Sequence, residues 1–160
     1  MNAFTGMLAG FVIAAGLVAT RRWGHSAWRW LVWPQIGLAG AASWAAYQGL
    51  LPLELLRWPL ADKVLHFLLF GSVAFWLHLW LGGRTARLGR LAVPLALAVP
   101  LLVATVDEIA QGFSARRSLD LGDWLCNLAG LLVFWRLSVW LTRREGRAGA
   151  VVGEARLPSH

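Results

Sequence analysis

The stretch "VPLALAVPLLVATVDEIAQGFSARRSLDLGDWLCN" (residues 93–127) changes character in its middle. Residues 93–106 carry no charge, whereas residues 107–127 hold four carboxylates and two arginines. A long uncharged run is typical of a helix in lipid, where ionisable side chains are costly. The stretch therefore predicts an apolar helix that ends in a polar cluster at a membrane surface.

The whole chain extends this pattern. Of its 160 residues 58% are hydrophobic and 14% are charged, whereas a soluble domain averages about 25% charged residues. We expect an all-α fold, a polytopic integral membrane bundle of about five transmembrane helices. The apolar runs place these spans at residues 3–20, 30–51, 63–81, 91–111 and 120–141.

The charge distribution predicts the orientation. The net charge is +7, but the arginines stand in short connections between apolar runs, so no nucleic-acid partner is expected. The positive-inside rule puts the N-terminus outside and the C-terminus in the cytoplasm, in a multi-pass protein of the bacterial inner membrane. The polar residues 142–160 are expected to be a disordered cytoplasmic tail. The connections predicted to be cytoplasmic contain Arg21, Arg22, Arg29, Arg84, Arg87, Arg90, Arg143 and Arg144.

The first two spans, within residues 1–59, are expected to pack through small residues. Such faces let helix backbones approach closely, and they could also contact a membrane-protein partner. The small residues repeat at four-residue spacing: Gly6, Gly10 and Ala14, then Ala41, Ala45 and Gly49.

The remaining polar residues fall on one predicted side of the membrane. Asp62 and His66 are four apart and share a helix face, while Lys63 is expected to extend toward the headgroups. Asp120, Asp123, Asn127 and Gly130 follow helical spacing and form one stripe. We expect these groups to line an outward-facing pocket with the "DEIAQ" segment and the loop arginines. The predicted pocket residues are Asp62, Lys63, His66, Asp107, Glu108, Gln111, Arg116, Arg117, Asp120, Asp123 and Asn127.

Each of these residues also has a structural interpretation. Asp120 could cap the fifth span, with Asp123 in its first turn. His66 could be a core histidine bonded to a carbonyl, and Asn127 could join packed helices. Several costly polar groups on one side of the bundle favour a shared pocket over separate structural roles.

The segments "DKVLHFLLFG", "DEIAQGF" and "RRSLDLGDWLCNLAG" resemble the motifs of VanZ-like membrane proteins. The resemblance covers roughly residues 60–135, so we treat residues 60–141 as a VanZ-like three-helix core. It implies a small polytopic helical protein. The family is named after a member linked to low-level resistance to the glycopeptide antibiotic teicoplanin.

Three functions remain open. The first is binding of membrane lipid through its headgroup, of a lipid-linked envelope intermediate or of a lipophilic antibiotic. The second is a structural or accessory subunit of a larger membrane complex. The third is a lipid-modifying enzyme that uses His66 and Glu108, with carboxylates for Mg²⁺ or Ca²⁺ in a metal-assisted form. No signature of a known catalytic or cofactor site is present, so we assign no catalytic residue and expect no cofactor or metal.

Overall fold

The structure is a computed structural model. It describes the backbone of residues 28–50, 60–114 and 119–154, and the side chains of residues 30–50, 60–114 and 119–144. The first predicted span, residues 3–20, lies outside the described residues, as do Arg116 and Arg117. The elements are a 3-10 turn (Trp28–Leu31), α1 (Val32–Gln48), α2 (Ala61–Leu81), β1 (Thr85–Leu88), β2 (Leu91–Pro94), α3 (Leu95–Gln111) and α4 (Leu121–Glu154).

The helices α1 and α2 lie close to the second and third predicted spans, and both end at glycines. Gly49 (φ 68°) and Gly82 (φ 60°) are left-handed, and the N–H of each bonds back to the last helical turn. Glycine terminates helices in this way because the left-handed conformation costs it no steric strain. The sequence therefore determines where these two helices stop.

The fourth predicted span begins too early. A two-stranded antiparallel hairpin occupies residues 85–94, pairing Thr85 with Pro94 and Leu88 with Leu91. Its two-residue turn starts at Gly89 (φ 61°), and the φ of Arg90 is not positive, the pattern of a type II′ turn. Val93 is extended because the residue before a proline avoids the helical region, so α3 starts at Leu95.

The start of the fifth predicted span agrees with the start of α4, but α4 ends later than predicted. α4 begins at Leu121 and continues to Glu154, although residues 142–160 are predicted to be a disordered tail. Arginine, alanine and glutamate in this region favour helix locally. Composition alone therefore misplaces the end of α4, and residues 155–160 lie outside the described residues.

α2 is the central helix, and its largest interface is with α4. The two backbones approach closely at Gly130, where an added Cβ would lie 2.1 Å from the carbonyl oxygen of Phe67. One turn further, Phe67 and Phe134 make an edge-to-face contact with ring centroids 5.7 Å apart. This interface fixes the relative position of the polar residues on α2 and α4. The surrounding core contains Val32, Phe75, Trp76, Leu77, Ala96 and Phe134.

The described bundle exposes many apolar side chains and buries several polar ones beside its apolar core. Its buried residues include His66, Glu108, Asp123 and Asn127, whereas leucine, valine and tryptophan side chains cover the surface, with Leu102 66% exposed. This arrangement suits lipid, which cannot hydrogen-bond to polar groups. Among the described helices, two are long and apolar enough to cross a membrane, Ala61–Leu81 and Leu121–Arg144. The surface and these two helices indicate a membrane protein.

Candidate functional site

Three helix ends converge at one end of the bundle: the start of α2, the end of α3 and the start of α4. Lys63, in the first turn of α2, connects two of them. Its Nζ donates to Asp120 Oδ2 at 2.8 Å and to Asp123 Oδ1 at 2.9 Å. Lys63 was expected to extend toward the headgroups, but it forms an ion bridge between α2 and the start of α4. It does so because two carboxylates at the start of α4 lie within reach of its ammonium group.

Asp120 both caps α4 and belongs to the polar site. Its Oδ1 accepts a hydrogen bond from the backbone N–H of Gly122 at 2.7 Å, so the carboxylate caps α4 as the sequence suggested. Its Oδ2 binds Lys63. The pKa of Asp120 is lowered from its ordinary value of 3.8, first by the Lys63 hydrogen bond and then by the Gly122 N–H. Asp120 is therefore ionised at neutral pH and holds Lys63 in place.

His66 lies one turn deeper and bonds to the same helix. Its Nδ1 is 3.1 Å from Asn127 Oδ1. On the other side of the ring, Nε2 lies 3.9 Å from Asp62 Oδ1 and 3.7 Å from Asp123 Oδ2. Asp123 and Asn127 are 3% and 1% exposed, so the polar groups of α4 that face the imidazole are almost fully buried.

Glu108 carries the least satisfied group of the site. Its Oε1 accepts the backbone N–H of Asp120 at 2.6 Å, at the start of α4. A carboxylate there is favoured by the helix dipole. Its Oε2 is buried and has no hydrogen-bond partner among the described residues, and the residue is only 4% exposed. A buried carboxylate oxygen without a hydrogen bond is costly, so this oxygen could accept a hydrogen bond from a polar group of a ligand.

Asp107 and Gln111 form a separate cluster that faces α1. Asp107 Oδ1 accepts from Ser43 at 3.2 Å and from Tyr47 at 3.1 Å, and Oδ2 accepts from Gln111 Nε2 at 2.9 Å. The Tyr47 hydroxyl also lies 3.1 Å from the Asp107 carbonyl oxygen. The sequence predicted one pocket that included Asp107 and Gln111. The structure places these residues in a hydrogen-bonded joint between α1 and α3, because consecutive positions 107 and 108 point in different directions on a helix.

Four polar residues were missed by the sequence analysis. Ser43 and Tyr47 are four apart on α1, a spacing that could have marked them as a polar face. Trp124 lies near the outer boundary of the fifth predicted span, where tryptophan is typical of the membrane interface, yet its Nε1 donates to Thr105 Oγ1 at 3.0 Å. Thr105 in turn donates to the Leu101 carbonyl. No sequence signal distinguishes such an interhelical tryptophan from an interfacial one.

The site can therefore hold a polar or charged group between α2, α3 and α4. It offers carboxylate oxygens, an imidazole and an ammonium group, and one oxygen of Glu108 has no hydrogen-bond partner in residues 30–50, 60–114 and 119–144. The loop arginines predicted to bind anions, Arg116 and Arg117, lie outside the described residues.

Comparison with known proteins identifies the family. Neither the curated proteins nor the solved structures give a match. The family model described as VanZ/LLP1 matches residues 18–142, more than three quarters of the chain. The matched region includes all the polar residues described above, so the chain belongs to the VanZ/LLP1 family.

Proposed function

We propose that this protein is a multi-pass protein of the bacterial inner membrane that binds the polar headgroup of a lipid or lipid-linked envelope intermediate. The observation that carries the proposal is the buried oxygen of Glu108, which has no hydrogen-bond partner within the part of the chain that the structure describes. It belongs to a polar site where three helix ends meet, so a ligand at the membrane surface would bind next to it.

The surroundings of the site favour a lipid over a water-soluble ligand. Phe113, just after α3, is 88% exposed, and Leu119 and Leu121, just before and at the start of α4, are 58% and 65% exposed. Exposed apolar side chains beside a polar site are typical of ligand or membrane contact. A headgroup would contact the polar residues while its acyl chains lie along this apolar rim.

The proposed orientation places the site at the outer face. The hairpin arginines Arg84, Arg87 and Arg90 lie at the other end of α2 and α3 from the polar residues. Arginine-rich connections stay in the cytoplasm, so the Glu108 end would face outward. A five-span topology, with the N-terminus outside, agrees with this assignment.

The test measures the lipids that purify with the protein. Wild-type protein, Glu108→Gln and Arg117→Ala would be extracted from native membranes in mild detergent, and bound lipids identified by mass spectrometry. We expect both variants to lose most of a specific lipid, while the control Arg87→Ala, at the opposite end, retains it. Equal lipid content in all four proteins would rule the proposal out.

An accessory role is the second candidate, and α1 supports it. Among the described residues, no atom lies within 4 Å of a Cβ added at Gly37 or Gly40 of α1, so small residues leave this face of the helix uncovered by the described helices. Such a face suits close packing with another membrane helix. A stoichiometric partner protein in mild detergent, released by Gly37→Leu and Gly40→Leu, would favour this function over headgroup binding.

A further inference from the structure

We propose that Asp62, His66 and Asp123 bind a divalent cation of the Zn²⁺ type. One ligand atom from each residue lies within 4.8 Å of the other two. The three residues come from two helices, so no short sequence motif marks the site, and the sequence analysis expected no metal.

The distances fit a metal bound between these atoms. His66 Nε2 is 3.7 Å from Asp123 Oδ2 and 3.9 Å from Asp62 Oδ1. Two ligands of a tetrahedral Zn²⁺ lie about 3.4 Å apart, given metal–ligand lengths near 2.1 Å. Small side-chain rotations would close the difference. The mixed donor set of one imidazole and two carboxylates suits Zn²⁺ and similar ions better than Mg²⁺, which prefers oxygen ligands alone.

The imidazole is oriented as a ligand. Asn127 Oδ1 can only accept a hydrogen bond, so His66 Nδ1 carries the proton in this contact. In the neutral ring the lone pair then belongs to Nε2, which faces the two carboxylates. A cation between this lone pair and the two carboxylate oxygens would be attracted to all three atoms. Metal-binding histidines are commonly held in this way by an acceptor at the second nitrogen.

The charges at this end of the bundle favour a cation. Four carboxylates, those of Asp62, Glu108, Asp120 and Asp123, lie at this end of the bundle with one described ammonium group, that of Lys63, which contacts the last two. Glu108 and Asp123 are at most 4% exposed, and buried charges require compensation. A divalent cation would offset two of the negative charges without displacing Lys63, which binds the other oxygen of Asp123.

Three protein ligands would leave a fourth coordination position open. If the proposed function is right, on which this step rests, a phosphate or hydroxyl oxygen of the headgroup would take that position. The cation would then connect the acidic site to an anionic ligand.

The experiment uses the full chain in non-ionic detergent, purified without a histidine tag and treated with a chelator. Co²⁺ alone is titrated and followed by its visible absorption, and Zn²⁺ is then added in competition. We expect one bound ion per chain, displaced by Zn²⁺. Loss of the ligand in His66→Ala should weaken binding at least about tenfold, the lower end of the effect of losing even an outer-shell partner.

The matched control is His78→Ala, which removes the other histidine of α2 and should bind Co²⁺ like the wild type. Asp62→Asn provides a second ligand variant that is expected to fold, since its side chain is 37% exposed. Equal Co²⁺ affinity in wild type, His66→Ala and Asp62→Asn would overturn the metal site. Measuring the retained lipid in the same preparations separates the two proposals. A specific lipid bound without any metal would support the proposed function and overturn the metal site. Metal binding without a specific lipid would support the metal site and overturn the proposed function.

Discussion

At the scale of single residues, Asp120 joins three elements. Its carboxylate caps α4 and binds Lys63 of α2, while its backbone N–H donates to Glu108 of α3. A charge-assisted bond of this kind is stronger than a neutral one. The ionisation of Asp120 should therefore contribute to the stability of the whole polar end.

This contribution predicts a pH dependence. The pKa of Asp120 is lower in the folded chain than its ordinary value of 3.8 because Lys63 donates to the carboxylate. A lowered pKa stabilises the folded state above about pH 4, and the contribution is lost as the pH falls through the folded value. We expect the Tm, followed by tryptophan fluorescence in non-ionic detergent, to fall below pH 4.

The matched variant is Lys63→Met, which removes the ammonium group and keeps an apolar stem. Its Tm should be several degrees lower at pH 7, where Asp123 loses its partner, and should fall less between pH 5 and pH 3 (roughly the titration range of carboxylates). A Lys63→Met protein whose Tm follows the wild type in parallel over this range would show that the ion bridge contributes nothing.

The sequence predicts part of the site at this scale. Helical spacing correctly places Asp62 beside His66, and Asp123 and Asn127 on one face of α4, because these relations depend on a single helix. The partner of Lys63 and the separation of Asp107 from Glu108 depend on how helices rotate against one another. That rotation is set by packing contacts such as Phe67 with Phe134, which no local pattern encodes.

At the scale of elements, the α2–α4 interface depends on Gly130. A Cβ at this position would lie 2.1 Å from the Phe67 carbonyl oxygen and 2.9 Å from its carbon, and both atoms belong to the backbone. Neither atom can rotate away, so a larger residue must separate the helices and pull Lys63 and His66 away from α4.

We therefore expect Gly130→Ala to destabilise the protein by about 1–3 kcal/mol or more, the usual cost of overpacking. Gly40→Ala is the control, since an added Cβ there meets no atom of the described residues within 4 Å, and alanine favours helix over glycine by about 1 kcal/mol. Thermal unfolding of the two variants measures the contrast. A Gly130→Ala protein as stable as Gly40→Ala would contradict the close approach.

The elements themselves are only partly predictable. The sequence predicts the bounds of α2 to within two residues, because the apolar run and the glycine after it both indicate where this helix lies. The hairpin at residues 85–94 is missed because β2 is apolar and joins α3 without a polar break, so hydropathy merges the two. The signals that would separate them, Gly89 and Pro94, are local turn and breaker residues that a membrane-span window ignores.

At the scale of the whole molecule, the surface and the interior differ in polarity. Exposed side chains such as Leu102 and Val106 contrast with the buried Glu108 and Asn127. In water this distribution would be unfavourable, because the driving force for burial acts on apolar area. In lipid it is favourable, since hydrogen-bonding groups must find partners inside the protein. The proposed orientation then decides which compartment reaches the polar end.

That orientation is tested with cysteine labelling. The chain has a single cysteine, Cys126, so Cys126→Ala provides a background without reactive thiols. Phe113→Cys reports on the polar end and Arg87→Cys on the hairpin, and both native side chains are exposed. In intact spheroplasts a membrane-impermeant maleimide should label Phe113→Cys alone, and Arg87→Cys should react only after permeabilisation. The reverse pattern would place the polar site in the cytoplasm, because the two positions lie at opposite ends of α3, which crosses the bilayer in the proposed topology.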